Sequence, residues 1–215
     1  MNDPTDPVIR RAQNYWFTDG LTEIGFAVIC LVLSLYFFGQ ATLTPGSIFY
    51  RILDVGFLLI LLVSGIVTRR LVTYFKERLT YPRTGYVSYR QPKRIQTIGV
   101  AVLAFILSSM LVALFSSSEN SPAYMPAASG ILIGAALTFT AYRYGLLRFY
   151  LLAAISAILG TGLGLSGAEE MYGLSLYYGF MGLALIISGL LVLRDYLIKS
   201  EPSELVGDSQ ERDHG

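Results

Sequence analysis

Asp54 and Arg51 are where chemistry would start in this chain: an acid and a base one helical turn apart, near the beginning of a long apolar run. At 1.5 Å of rise per residue the Asp54 carboxylate stands about 10 Å inside that run, a depth at which an acid is costly unless it faces protein or water. Two readings follow. Asp54 pairs with Arg51, or with a hydroxyl on a neighbouring helix, and serves structure; or it holds a proton or cation on a translocation path. The second reading wants another intramembrane acid or base. Glu23 is of the right type, but the helix rise and the bilayer thickness put it on the order of 17 Å away along the membrane normal.

A second set of charges gathers at the other face. Asp19 and Glu23 lie one turn apart at the start of the first apolar run, and Arg143 and Arg148 occupy the tight turn between the fourth and fifth. An ion pair there ties the first helix to the hairpin that follows; otherwise all four are solvated. Glu169 and Glu170 sit on a face with almost no basic residues, where they attract cations or make a solvated turn.

Much membrane chemistry is excluded by what the chain lacks. It has a single histidine, His214, close to the end, and a single cysteine, Cys30, in the first apolar run. Intramembrane haem ligation, HExxH zinc proteolysis, Ser-His catalysis and Cys-rich iron-sulfur or zinc sites all need ligands or bases that are missing. Cys30 reads as a small buried apolar residue. Gly160, Gly162 and Gly164 spell GxGxG, but inside an apolar run with no strand before it, so no phosphate loop is implied. No cofactor is expected, and the chain is read as non-enzymatic.

The elements that must position these residues are membrane helices. Hydrophobic residues make up 53% of the chain and charged residues 14%, whereas a soluble domain carries about 25% charged residues. A bilayer core of about 30 Å takes roughly 20 helical residues, and six segments qualify: 21–38, 46–68, 97–115, 126–142, 146–166 and 172–193. The fold class is therefore an all-α integral membrane protein of six transmembrane helices. Of the 16 Lys and Arg, all but Arg51 fall on one side when loops are assigned alternately. Cytoplasmic loops retain positive charge, so both termini are expected in the cytoplasm.

The densest positive stretch is "KERLTYPRTGYVSYRQPKR", residues 76–94. It acts as a topology determinant near anionic headgroups, or as a partner-binding loop built around Arg78, Tyr81, Pro82, Arg83, Gly85, Tyr86 and Arg90. Leu71, Tyr74, Phe75, Arg78 and Leu79 recur at helical spacing, which extends the second helix as an amphipathic arm along the surface, and Pro82 and Gly85 then turn the chain. A lipid-modifying role for Arg83 and Tyr86 has no acid-base pair to support it. Three regions result: an arm, 1–20, with a short interfacial helix begun by Asp6-Pro7; the membrane domain, 21–199, including the basic loop 69–96; and an acidic tail, 200–215, expected to be disordered.

In lipid, helices associate through close packing of small residues. Gly130 and Gly134, then Gly160 and Gly164, then Gly179 and Gly182 lead to the expectation that the last three helices form one tight unit, leaving the larger-residue faces of the first three for lipid or a partner.

"YWFTDGLTEIGF" at 15–26, "RLTYPRTGYV" at 78–87 and "YYGFMGLALIISGLLVLRDYL" at 177–197 together resemble a group of small bacterial integral membrane proteins without an assigned activity. The resemblance implies a bacterial inner-membrane protein and carries over no catalytic residues. The expected partners are membrane lipid and other membrane subunits or a second copy, with no nucleic acid. The expected role is that of an accessory or scaffolding subunit, or a homo-oligomer; the alternative is a small-solute or ion translocator using Asp54.

Overall fold

The computed structural model describes residues 19–80 and 124–199. They form α1 (Leu21–Thr42), α2 (Ile48–Phe75, closed by the π-helical turn Lys76–Thr80), α3 (Met125–Tyr144), α4 (Leu147–Leu165) and α5 (Glu170–Lys199). All five helices are long and apolar enough to cross a membrane, and no strand occurs among the described residues. The described residues are all-helical and of membrane-span character. The arm up to residue 18, the rest of the basic loop, the apolar segment 97–115 and the acidic tail lie outside the described residues. α2 continues unbroken to Phe75, as the helical spacing of Leu71, Tyr74 and Phe75 leads one to expect, and α5, from Glu170 to Lys199, overruns its expected limits of 172–193.

Local chemistry sets the turns. Ser47 caps α2 by accepting the Tyr50 N–H at 3.2 Å. Gly145 ends α3 with φ +68°, in the left-handed region, and its N–H reaches the Ala141 carbonyl at 2.7 Å; a side chain would strain that conformation. Only Leu146 then separates the turn from α4, so α3 and α4 form a tight antiparallel hairpin.

The helices pack in the order α2, α1, α5, α4, with α3 against α4 and the start of α5. Direction follows from the contacts. Ser34 meets Ser175 and Gly20 meets Gly189, so α1 and α5 are antiparallel. Gly25 meets Val72 and Gly39 meets Leu53, so α2 is also antiparallel to α1. Pro126 touches Gly173, so α3 and α5 start at the same end. One end of the bundle thus holds the start of α1 and α4 and the finish of α2, α3 and α5.

Close packing of small residues holds two seams. Between α3 and α4, a Cβ on Gly160 would lie 2.6 Å from Gly130 Cα and 2.7 Å from the Pro126 carbonyl oxygen. In that space Ser156 Oγ donates to the Gly130 carbonyl at 2.9 Å and lies 2.8 Å from Tyr177 Oη of α5, both side chains fully buried. Gly134 packs on the Ala153 carbonyl, and Gly164 is buried.

The second seam corrects an expectation. Gly179 and Gly182 of α5 do not face α3 and α4 but α1, where they meet Ser34 and Leu31. Gly20, which caps α1, and Ala27 and Ser34 on α1 repeat every seven residues, as do Ser175, Gly182 and Gly189 on α5. A seven-residue repeat keeps one stripe facing its partner, so the two series mesh in opposite directions. Ser34 Oγ donates to the Ser175 carbonyl at 2.8 Å, and Ser175 Oγ returns a bond to the Ser34 carbonyl at 3.0 Å. The first helix therefore belongs to the packed unit. The exposed large residues expected of the early helices concentrate instead on α2.

Gly160→Leu must force α3 and α4 apart and should destabilise the protein by about 1–3 kcal/mol, as overpacked sites do. Gly162, two residues along α4, has open space around it, and Gly162→Leu should change stability by less than about 0.5 kcal/mol. Thermal unfolding of both variants in detergent checks the contrast.

Candidate functional site

Three helices bring charge, and a fourth a hydroxyl, to one end of the bundle. Asp19 and Glu23 come from the start of α1, where carboxylates suit the positive end of the helix dipole. Asp19 Oδ1 also accepts the Leu21 N–H at 3.2 Å. Lys76 comes from the end of α2, where a cation suits the negative end. Arg148 is in the first turn of α4, a position the dipole disfavours, so it depends on an acid opposite. Ser188 arrives from α5.

These side chains form two ion pairs. Lys76 Nζ lies 3.2 Å from Asp19 Oδ2, with the side chains 3% and 1% exposed. Arg148 Nε lies 2.7 Å from Glu23 Oε1; Glu23 is 2% exposed and Arg148 24%. Ser188 Oγ donates to Glu23 Oε2. Each carboxylate thus has a cation from a different helix, and α1 is tied at its start to α2, α4 and α5 at once.

The chain is positioned for this by one glycine. Gly20 has φ +70°, and a Cβ there would lie 2.4 Å from the Gly189 carbonyl oxygen. Only glycine lets the chain turn into α1 while lying flush on α5, one residue from Asp19 and Ser188 on either side of the contact.

The four charges expected to gather do so unequally. Glu23 and Arg148 meet; Asp19 takes Lys76; Arg143 is exposed and makes no ion pair among the described residues. By its place in the sequence Lys76 belongs to the basic loop, yet it is buried inside the bundle. The available signal was spacing: Thr68, Val72 and Lys76 follow one another at four-residue intervals, and Thr68 and Val72 face Gly25 of α1. Arg78, two residues on, points elsewhere and stacks over the Tyr74 ring at 4.9 Å. Tyr81, Pro82, Arg83, Gly85, Tyr86 and Arg90 lie outside the described residues.

Asp54 and Arg51 stand at the opposite end, on α2. Both are exposed, and they form no ion pair with each other. Glu169 and Glu170 are at that same end, where α5 begins. Between α1 and α2 runs an open groove lined by Val28, Val32, Leu59, Ile60, Val63, Ser64 and Val67. Its one polar side chain, Ser64, spends its hydroxyl proton on the Leu61 carbonyl at 2.9 Å. Cys30 is buried beside Ala27, Met181 and Leu185. No three His, Cys, Asp or Glu converge as metal ligands among the described residues.

Chemically, the cluster is built to neutralise charge. Its two acids already face cations, and the Asp19–Lys76 pair is closed to any substrate by its burial. No family model, curated protein or solved structure matches this chain.

Removing one partner of a buried pair strands the other charge, which costs about 3–5 kcal/mol, whereas removing both costs much less. Asp19→Asn and Lys76→Met should each destabilise strongly, and the double variant should lose clearly less than the sum. A double-mutant cycle of unfolding free energies in detergent measures this; additive losses would mean that the two charges do not stabilise one another.

Proposed function

We propose that this chain acts by binding, as a non-enzymatic accessory or scaffolding subunit of a membrane complex or as a homo-oligomer, in a six-span arrangement with both termini cytoplasmic. The observation that carries the reading is the division of labour among its charges. The buried acids and bases of the ion-pair end tie α1, α2, α4 and α5 to one another, while a whole helix, α2, turns an apolar face outward.

The sixth crossing is supported by direction. α2 finishes at the ion-pair end and α3 begins at the opposite one, so the chain has to change ends between residues 80 and 124. The apolar segment 97–115 is the stretch of that interval long enough to do so. The orientation is supported by charge: Arg69, Arg70, Lys76, Arg78, Arg143, Arg148 and Arg194 lie at the ion-pair end, and Arg51 is the lone described cation at the other. Cationic ends stay in the cytoplasm. A bacterial inner membrane is the setting that the resemblance of residues 15–26, 78–87 and 177–197 suggests.

A second reading keeps one observation in its favour. Asp54 is a carboxylate seven residues into α2, without a paired cation among the described residues, and acids at such depth often mark ion or proton paths. Solute or ion translocation through Asp54 is the alternative function.

Purification from native membranes in mild detergent, followed by native mass spectrometry, tests the first reading. The expected result is a stoichiometric assembly, with either a partner subunit or further copies of the chain; a lone monomer would count against it. For the alternative, proteoliposome flux that vanishes in Asp54→Asn is the expected sign, and flux unchanged in that variant removes Asp54 from any mechanism.

A further inference from the structure

α2 is the least covered of the described helices. Its inner residues Ser64 and Thr68 are buried against α1, but Val55, Leu58, Leu62 and Ile66 on the reverse are 84%, 68%, 65% and 57% exposed. Those four recur at three- and four-residue intervals and form a single stripe. Lipid can cover such a stripe. Its acyl chains offer no partner to the charges at its rim.

Arg51 and Asp54 lie at that rim, in the half of α2 away from the ion-pair cluster. They are three residues apart, about 4.5 Å in height and about 60° around the helix. Each is exposed and neither has an ion-pair partner among the described residues. Among the described residues, Arg51 is the one cation in this half of α2. Segment 97–115 contains no Lys, Arg, Asp or Glu, and no Lys or Arg occurs anywhere from 95 to 142. The described basic residue nearest Asp54 in the chain is Arg51, and within one helix the acid lies on the C-terminal side of the base, the weaker order for such a pair.

We propose that the outward face of α2 docks a second copy of this chain across a two-fold axis running along the bundle, with Arg51 of each copy paired to Asp54 of the other. A two-fold interface brings residue i to j and j to i, so one charge pair on one helix becomes two pairs across the contact. The axis keeps both helices at the same depth, so the 4.5 Å offset between the two residues, about three residues of helix rise, is within an arginine's reach. Below the paired charges, Val55, Leu58, Leu62 and Ile66 meet their counterparts and close the stripe. The inference rests on the reading that the chain acts by binding, and names the surface and the occupant.

The test uses disulfide capture in native membranes. Cys30, the chain's single cysteine, is first replaced by alanine, and Val55→Cys or Leu62→Cys is introduced in the full chain. Mild oxidation should give a covalent homodimer from both, at least tenfold more than from Ile158→Cys, which is equally lipid-accessible on α4 at 70% exposure. In the Val55→Cys background, Asp54→Arg should cut the cross-linked fraction about tenfold, and the exchange Arg51→Asp with Asp54→Arg should restore it to within about threefold. Cross-linking at Val55 no better than at Ile158, or an Asp54→Arg variant that dimerises normally, overturns the proposal. Capture of a different polypeptide at Val55 overturns the homodimer while leaving the binding reading intact. Capture of nothing at Val55, from a chain that also purifies as a lone monomer, removes both.

Discussion

Charge buried in a low-dielectric layer has to be answered by charge, and that constraint organises this bundle. Asp19 and Glu23 enter the protein at the start of α1 with almost no access to water. Each then requires a cation, and the cations come from helices distant in sequence, Lys76 on α2 and Arg148 on α4. Because an unpaired acid would be so unfavourable, the relative positions of α1, α2 and α4 are fixed far more sharply than apolar contact could fix them. Ser188 adds α5 to the same set.

Away from the charges, the specificity comes from atoms that are missing. Gly130 against Gly160, and Gly20 against Gly189, let backbones approach until carbonyl oxygens occupy the space of absent side chains. Polar groups freed by this closeness are then satisfied across the seam: Ser156 by the Gly130 carbonyl, Ser34 and Ser175 by each other's backbone. Small residues and hydroxyls therefore act as one device, in which the first permits contact and the second makes a single axial register preferred.

How much of this was legible in the sequence depends on the range of the signal. Helical membrane character follows from run length and composition, local properties that survive folding unchanged. The Glu23–Arg148 contact could be anticipated because alternating loops put both residues at one face. The Asp19–Lys76 pair was hidden because Lys76 stands beside a run of basic residues, and its phase with Thr68 and Val72 carries less weight to the eye than its neighbours' charge. The α1–α5 seam is hidden from the sequence for a related reason. GxxxG draws attention to one helix at a time, whereas Gly20, Ala27 and Ser34 gain meaning only beside Ser175, Gly182 and Gly189. Asp54 shows the converse: its depth could be computed from helix rise, but the side of α2 it occupies depends on which face α1 covers.

The reciprocal Ser34–Ser175 bonds have a mechanical meaning. With that clamp in one half of α1 and the Glu23–Ser188 bond in the other, α1 and α5 are pinned at two heights and behave as a single strut. α2 leans on this strut along one side and is latched to it through Lys76 near its end. Among the described residues, a load applied at the Ile48 end of α2 therefore meets no ion pair, while the same load at the Lys76 end has to break one. Among the described residues, the hold on α2 is graded along its length, looser where Arg51 and Asp54 sit and firmer where the charges are enclosed.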